Sequence, residues 1–232
     1  TDLTYIIGEM IAELNVGHAY TGGGDMPEVE KVPVGLLGAD YEYDESAKMY
    51  RITKIYEGRN WEEKTRSPLT EPGINISEGD YILEIDGEKI TKENHPFKAL
   101  INKAGKYITI KVNDNAADKN AEEYDVKTIA NEKELRYFNW VEENRRKVEE
   151  ATDGKVAYVL VPDMMPNHGL NEFVKYFYPQ ARKEALIIDD RFNGGGNVSP
   201  MLIERLRRIL TVAKHARNQD VVMTNPDAVI MG

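Results

Sequence analysis

Cysteine is absent from the 232 residues, which excludes thiol nucleophiles, disulfides and thiolate metal sites. Its absence leaves the compartment open. Serine is nearly as scarce, with Ser46, Ser67, Ser77 and Ser199 the only four. The four histidines, His18, His95, His168 and His215, include no pair at helical metal-ligand spacing, so no zinc site is expected. No apolar run approaches the ~20 residues needed to span a bilayer, and no basic stretch followed by an apolar one opens the chain. Cations are outnumbered: 30 Lys and Arg face 40 Asp and Glu, for a formal charge of −10 and a pI near 5.0. Sequence-independent nucleic-acid binding needs clustered cations to displace counterions, so it is not expected. Arg205 to Arg208 reads as a solvated helix face.

What is present divides into three. Leu3, Ile6, Ile7, Met10, Ile11 and Leu14 recur at the spacing of one buried helix face, and Asn15-Val16-Gly17 stops that helix, placing His18 just beyond its end. The chain starts within this pattern, as a piece of something longer would. A breaker-rich stretch, Thr21 to Pro27, then sets a boundary near Glu30. Residues 31–130 form a β-rich module, with strands predicted at Val34–Leu37, Met49–Ile55, Asp80–Ile85, Tyr107–Val112 and Tyr124–Ile129. A helix is expected over Glu93–Lys103, and Asp114–Glu123 reads as a polar loop.

Residues 131–232 turn to an α/β pattern. An amphipathic helix through Tyr137, Trp140, Val141 and Val148 ends at Asp153-Gly154. Strand Val156–Val161, helix Leu170–Arg182, strand Ala185–Asp189 and helix Pro200–Leu210 follow, an order that implies parallel pairing. Between the last two lies Asn193-Gly194-Gly195-Gly196, at a strand's carboxyl end, where open α/β sheets place ligands. The length suits one large domain or two smaller ones.

The glycine turn lets a ligand approach backbone N–H groups where no Cβ intrudes. It lacks the Lys-Ser/Thr of a phosphate loop and the dinucleotide spacing, so no nucleotide or other cofactor is expected. Ser199 is the nearest hydroxyl, but Ser199-Pro200 before an apolar-periodic run is the pattern of a helix N-cap followed by proline. Its spacing also departs from the nucleophile elbow. His18 is open to two readings, a general base among small neighbours or an imidazole favoured by a helix C-terminus. His95, His168 and His215 fall in loops or a basic helix tail and are expected to be exposed. Asp189 is expected to pair with Arg191.

Val34-Gly35-Leu36-Leu37-Gly38 and Ile76-Ser77-Glu78-Gly79-Asp80 through Gly87 resemble a PDZ domain. The order of parts goes further. A helical segment with Gly-His-Ala-Tyr, this insert, and a region with Pro-Asp-Met, Gly-Leu-Asn-Glu-Phe and Asp-Arg-Phe-Asn-Gly-Gly-Gly resemble the C-terminal half of the tricorn peptidases, serine hydrolases related to C-terminal-processing peptidases. The resemblance implies an α/β plus mainly-β chain: a helical segment (1–30) bearing His18, a PDZ-like domain (31–130), and the first part of a ClpP/crotonase-like α/β core (131–232). It implies peptide-bond hydrolysis, with His18 as general base, Gly195 and Gly196 donating to an oxyanion, and Gly35, Leu36, Leu37 and Gly38 as the peptide-binding loop.

Two departures bear on activity. Gly17 stands where archaeal members carry a serine, and the family's Ser-Asp-Gly nucleophile motif is missing. The resemblance places that motif downstream, after a strand that Val229-Ile230-Met231-Gly232 would introduce. The 232 residues are therefore expected to be an inactive fragment whose serine lies beyond residue 232. The alternative is a PDZ-containing protein that binds peptides without cutting them. Peptides are the expected partners, with homo-oligomerisation of the full-length form. The family places the parent in the cytoplasm, periplasmic export remaining open.

Overall fold

The computed structural model describes residues 2–25 and 27–229. Helix α1 (Asp2–Ala12) forms where the periodicity predicts it, and Asn15 at φ 51° turns the chain out. Its apolar face is not covered. None of its residues is buried, and the Thr4 hydroxyl reaches the Gly23 carbonyl, so the segment folds back on its own tail. The expected burial of this face is thus corrected, because no element of the described chain packs over it.

The module is a six-stranded antiparallel sheet built from β1 (Ala39–Asp44), β2 (Met49–Ile55), β3 (Tyr81–Ile85), β4 (Glu88–Lys89), β5 (Tyr107–Asn113) and β6 (Glu122–Lys127). Its order is β1-β2-β3-β5-β6, with β4 paired to β3. One face alternates into a core that includes Ile52, Ile82, Ile85, Ile110 and Val126. Val34 and Leu36 contribute single bridges, to Ile101 and Ile129, rather than the predicted strand. The helix expected over Glu93–Lys103 shrinks to α2 (Pro96–Ala99). Proline fixes its first turn, and the His95 ring accepts from the Phe97 N–H as its cap, so His95 is half-buried rather than exposed.

Helix α3 (Lys133–Ala151) leaves the module and lies back across it. Leu135 is completely buried. A Cβ at Gly58 would come 2.6 Å from its Cδ1, and one at Gly38 2.7 Å from its Cδ2, so both glycines make room for this side chain. Asn139 accepts from the Glu57 N–H at 2.9 Å, Glu143 pairs with Lys54 at 2.6 Å, and Arg136 pairs with Asp40 at 2.8 Å while stacking on the Tyr56 ring. Hydrophobic contact, hydrogen bond and ion pairs join helix and module along its length.

The chain then runs through β7 (Val156–Leu160), a π-turn at Pro166–Leu170, α4 (Asn171–Phe177), a 3-10 turn at Tyr178–Gln180 and β8 (Ala185–Asp189). β7 and β8 pair in parallel, Val156 opposite Ala185 through Leu160 opposite Asp189. α5 (Ser199–Leu206) closes a core of Val159, Val161, Phe173, Phe177, Val198 and Leu202. β9 (Val212–His215) and β10 (Val222–Asn225) form a hairpin, so His215 lies on an exposed strand and not in a helix tail. Of the strand expected to begin at Val229, residues 230–232 lie outside the described residues.

Candidate active site

β7 and β8 both end at the same rim, and the segments that leave them are hydrogen-bonded together. After β8 the chain passes Phe192 at φ 63° and reaches Gly195 at φ 78° and Gly196 at φ 142°. Gly194 N–H donates to the Pro162 carbonyl (3.0 Å), Met164 N–H to the Gly195 carbonyl (2.8 Å), and Asn197 and Val198 N–H to the Met164 carbonyl (2.7 and 2.9 Å). Asn193 donates its side-chain amide to the Val161 carbonyl and accepts from the Gly195 N–H at 2.8 Å. The two proposed oxyanion donors therefore differ. Gly195 N–H is committed to Asn193, whereas Gly196 N–H has no acceptor among the described residues.

Gly196 is also where glycine is required. A Cβ there would overlap the Met164 carbonyl and approach the Met164 Cα at 3.0 Å, whereas at Gly195 the space is open. Close approach of the two segments, and with it the exposed N–H, depends on that missing Cβ.

Ser199 does not cap α5. The residue before the helix is Val198, and the N–H groups of Met201 and Leu202, which a capping hydroxyl would take, donate to the Val198 carbonyl at 2.9 and 3.3 Å. Pro200 does sit in the first turn, as expected.

Asp189 closes β8, buried, with the Arg191 guanidinium on both its oxygens and the Tyr158 hydroxyl donating to one at 2.5 Å. The predicted pair is present. Arg191 holds the Asp189 carboxyl well below the usual 3.8, and burial plus the hydrogen bond to Asp189 raises Tyr158 to about 12. A depressed carboxyl stabilises the fold above its ordinary pKa, and that stability is lost as pH falls through the lower folded value. In acid titrations of unfolding free energy, the wild type should exceed Asp189→Asn most above about pH 5, and the gap should close toward pH 1. A gap independent of pH would mean that Asp189 acts only by shape.

A carboxylate–imidazole pair went unrecognised in the sequence. His168 Nδ1 lies 2.7 Å from Asp163 Oδ2, while the N–H groups of Met165 and Gly169 donate to Oδ1. Burial pushes Asp163 up, but these hydrogen bonds outweigh it and hold the carboxyl below its ordinary value. His168 is exposed, as expected. Asp163 lies ahead of the π-turn and His168 within it, so this pair depends on a local turn that α- or β-periodicity does not signal.

His18 follows the end of α1. Its Nδ1 lies 3.1 Å from the Tyr20 hydroxyl, both rings are exposed, and no hydrogen bond joins it to Gly194–Gly196. In the module, Gly35 N–H donates to the Leu100 carbonyl (2.9 Å) and Leu36 N–H to that of Ile129 (2.8 Å). Of the predicted loop, only Leu37 and Gly38 keep N–H groups without an acceptor among the described residues. They precede β1, an edge strand, and Tyr41 of β1 meets Phe97 of α2 edge-on at 5.6 Å. No group of three or more acidic or histidine side chains among the described residues could hold a metal, and no described helix is long and apolar enough to cross a membrane.

Residues 35–131 match the family model described as the tricorn protease PDZ domain. Over 88% of this chain the sequence is 40% identical to a tricorn protease homolog of Saccharolobus solfataricus, covering 18% of that protein. Over the same share it is 39% identical to a putative tricorn-like protease C-terminal subunit of Sulfurisphaera tokodaii, covering 23% of it. The whole chain superposes on 22% of a tricorn protease crystal structure with a TM-score of 0.84 at 31% identity. The chain is tricorn-protease-like. It spans about a fifth of the relatives it matches. The tricorn-like PDZ domain is the β-rich module; it carries the edge strand β1, α2 and the buried Leu37–Gly38 donors, with α3 locked across it at Gly38. The glycine turn belongs to the mixed helix and strand part that follows.

Proposed function

We propose that this chain is part of a serine-type peptidase, in which the glycine turn stabilises the oxyanion formed when a peptide carbonyl is attacked. The Gly196 N–H carries this reading: it is exposed at the end of a parallel strand and unpaired among the described residues, in a turn fastened at Gly194, Gly195, Asn197 and Val198. Gly195 is the second donor, available once Asn193 releases it. His18 acts as general base, drawing a proton from the serine hydroxyl and returning it to the leaving amine. The attacking serine belongs to a Ser-Asp-Gly segment not among these 232 residues, within a ClpP/crotonase-like core that β7, α4 and β8 begin. His18 makes no hydrogen bond to the turn among the described residues, and the uncovered α1 face gives a surface against which other parts of the protein fix its position.

The Leu37 and Gly38 N–H groups, with the edge of β1 beside α2, take an extended peptide by strand addition. The parent is a cytoplasmic homo-oligomer, by its likeness to tricorn proteases. Purified alone, the 232-residue chain should not hydrolyse peptides. The parent protein should, with sensitivity to serine reagents, and His18→Ala should lower its kcat by about 10²–10⁴-fold. Hydrolysis by the 232 residues that disappears in Ser199→Ala would overturn this and make Ser199 the nucleophile. A parent that binds peptides at the Leu37–Gly38 donors without cutting them would establish the second reading, a binding protein, which the lack of any hydrogen bond between His18 and the turn favours.

A further inference from the structure

A cavity of about 210 Å³ lies where the PDZ domain, α3 and the π-turn meet. It is separate from the β1 edge and takes no part in the chemistry proposed above. Tyr137 and Phe138 of α3 and Tyr176 of α4 line it, together with charged side chains of both signs. Arg59, Glu62 and Lys64 come from the domain's loop, Glu134 and Arg145 from α3, and Glu172 from the first turn of α4.

Arg59 is held in place rather than satisfied. Its guanidinium stacks 4.6 Å over the Phe138 ring and reaches Glu62 at 3.1 Å, yet its Nε–H is buried with no acceptor. A buried donor left unpaired is costly, and a charged acceptor relieves it best. Lys64 makes no ion pair among the described residues, and neither does Glu134. Around Tyr137 the charges are acidic: burial raises its pKa, and Asp189, Glu134, Glu172 and Asp163 raise it further. Within one cavity, then, Lys64 lacks an anion, Arg59 Nε–H lacks an acceptor and Glu134 lacks a cation, with aromatic side chains in the same lining.

We propose that this cavity binds a small zwitterion, an α-amino acid or short peptide with both termini free. Its carboxylate sits on Arg59 Nε–H and Lys64, its ammonium on Glu134, and its side chain against the aromatic rings. The site does not depend on the peptidase reading, and each can fail alone.

The test is calorimetric titration of the 232-residue chain with leucine and with alanyl-leucine, then with N-acetyl-alanyl-leucine and alanyl-leucinamide. One or both free forms should bind saturably, the tighter of the two identifying the ligand's length. Each blocked form should bind at least about tenfold more weakly than alanyl-leucine, one charged contact being lost. Lys64→Gln should weaken alanyl-leucine about tenfold and leave the amide unchanged, and Glu134→Gln should weaken it equally and leave the acetyl form unchanged. Both side chains are exposed, so thermal melts should match the wild type. If either variant melts early, the blocked ligands on the wild type decide the matter. Absence of saturable binding at millimolar concentration, equal affinity for free and blocked forms, or binding lost in Phe97→Ala but indifferent to Lys64→Gln would each overturn the proposal.

Discussion

Alanine in place of Gly196 should destabilise the α/β part by on the order of 3 kcal/mol, while Gly195→Ala should cost about 1 kcal/mol. Both glycines have positive φ, so both substitutions strain the backbone. Only at Gly196 does the new Cβ also overlap the Met164 carbonyl, the acceptor for Asn197 and Val198 N–H, so the start of α5 must shift with it. Urea unfolding followed through Trp140, which packs edge-on against Phe192 at 5.8 Å, reads the effect where it arises. Equal costs at the two positions would show that backbone strain alone sets the price of a side chain here. If the chain is part of the proposed peptidase, the same substitution should remove its hydrolysis even where the fold survives, because it displaces the proposed donor.

Leu135→Ala should cost about 3 kcal/mol, within the range for emptying a filled core site. The loss falls on a junction rather than on either core: Leu135 fills space left by Gly58 and Gly38, and the Asn139 and Glu143 contacts depend on α3 lying where Leu135 fixes it. The PDZ domain and the α/β part should then unfold at separate temperatures, against one coincident transition in the wild type, as followed by calorimetry. Retention of a single transition would mean that the polar contacts suffice to couple the two parts.

The elements most legible in the sequence are those where pattern and environment agree. Met49–Ile55 and Ala185–Asp189 are found at the predicted residues, and the α3 stripe and the parallel pairing follow from periodicity and order. β1 escaped because Asp40, Glu42 and Asp44 alternate with its tyrosines, giving a strand on a sheet edge little apolar signal. The β9–β10 hairpin replaced a helix tail because tertiary pairing overrode a basic, helix-compatible stretch. For α1 the period was right and the burial was not, since amphipathicity states what a helix can cover and not what is there to cover it.

At the candidate site the glycine turn was visible because glycines punctuate sequence. Which of its N–H groups is unpaired was not visible, being set by Asn193 and by the Pro162–Met164 segment some thirty residues away. The Leu135–Gly58 fit and the aromatic cavity share that origin: each joins residues that no local pattern links.

Gly58 and Leu135 also bear on how the chain is made. The PDZ domain's core closes on residues from Leu37 to Val126, with no member from α3. During synthesis every residue of that core leaves the ribosome before Leu135, so the seat at Gly58 can form first and the helix can then pack onto it. The domain then serves α3 as a template, fixing the direction in which the following strands β7 and β8 emerge.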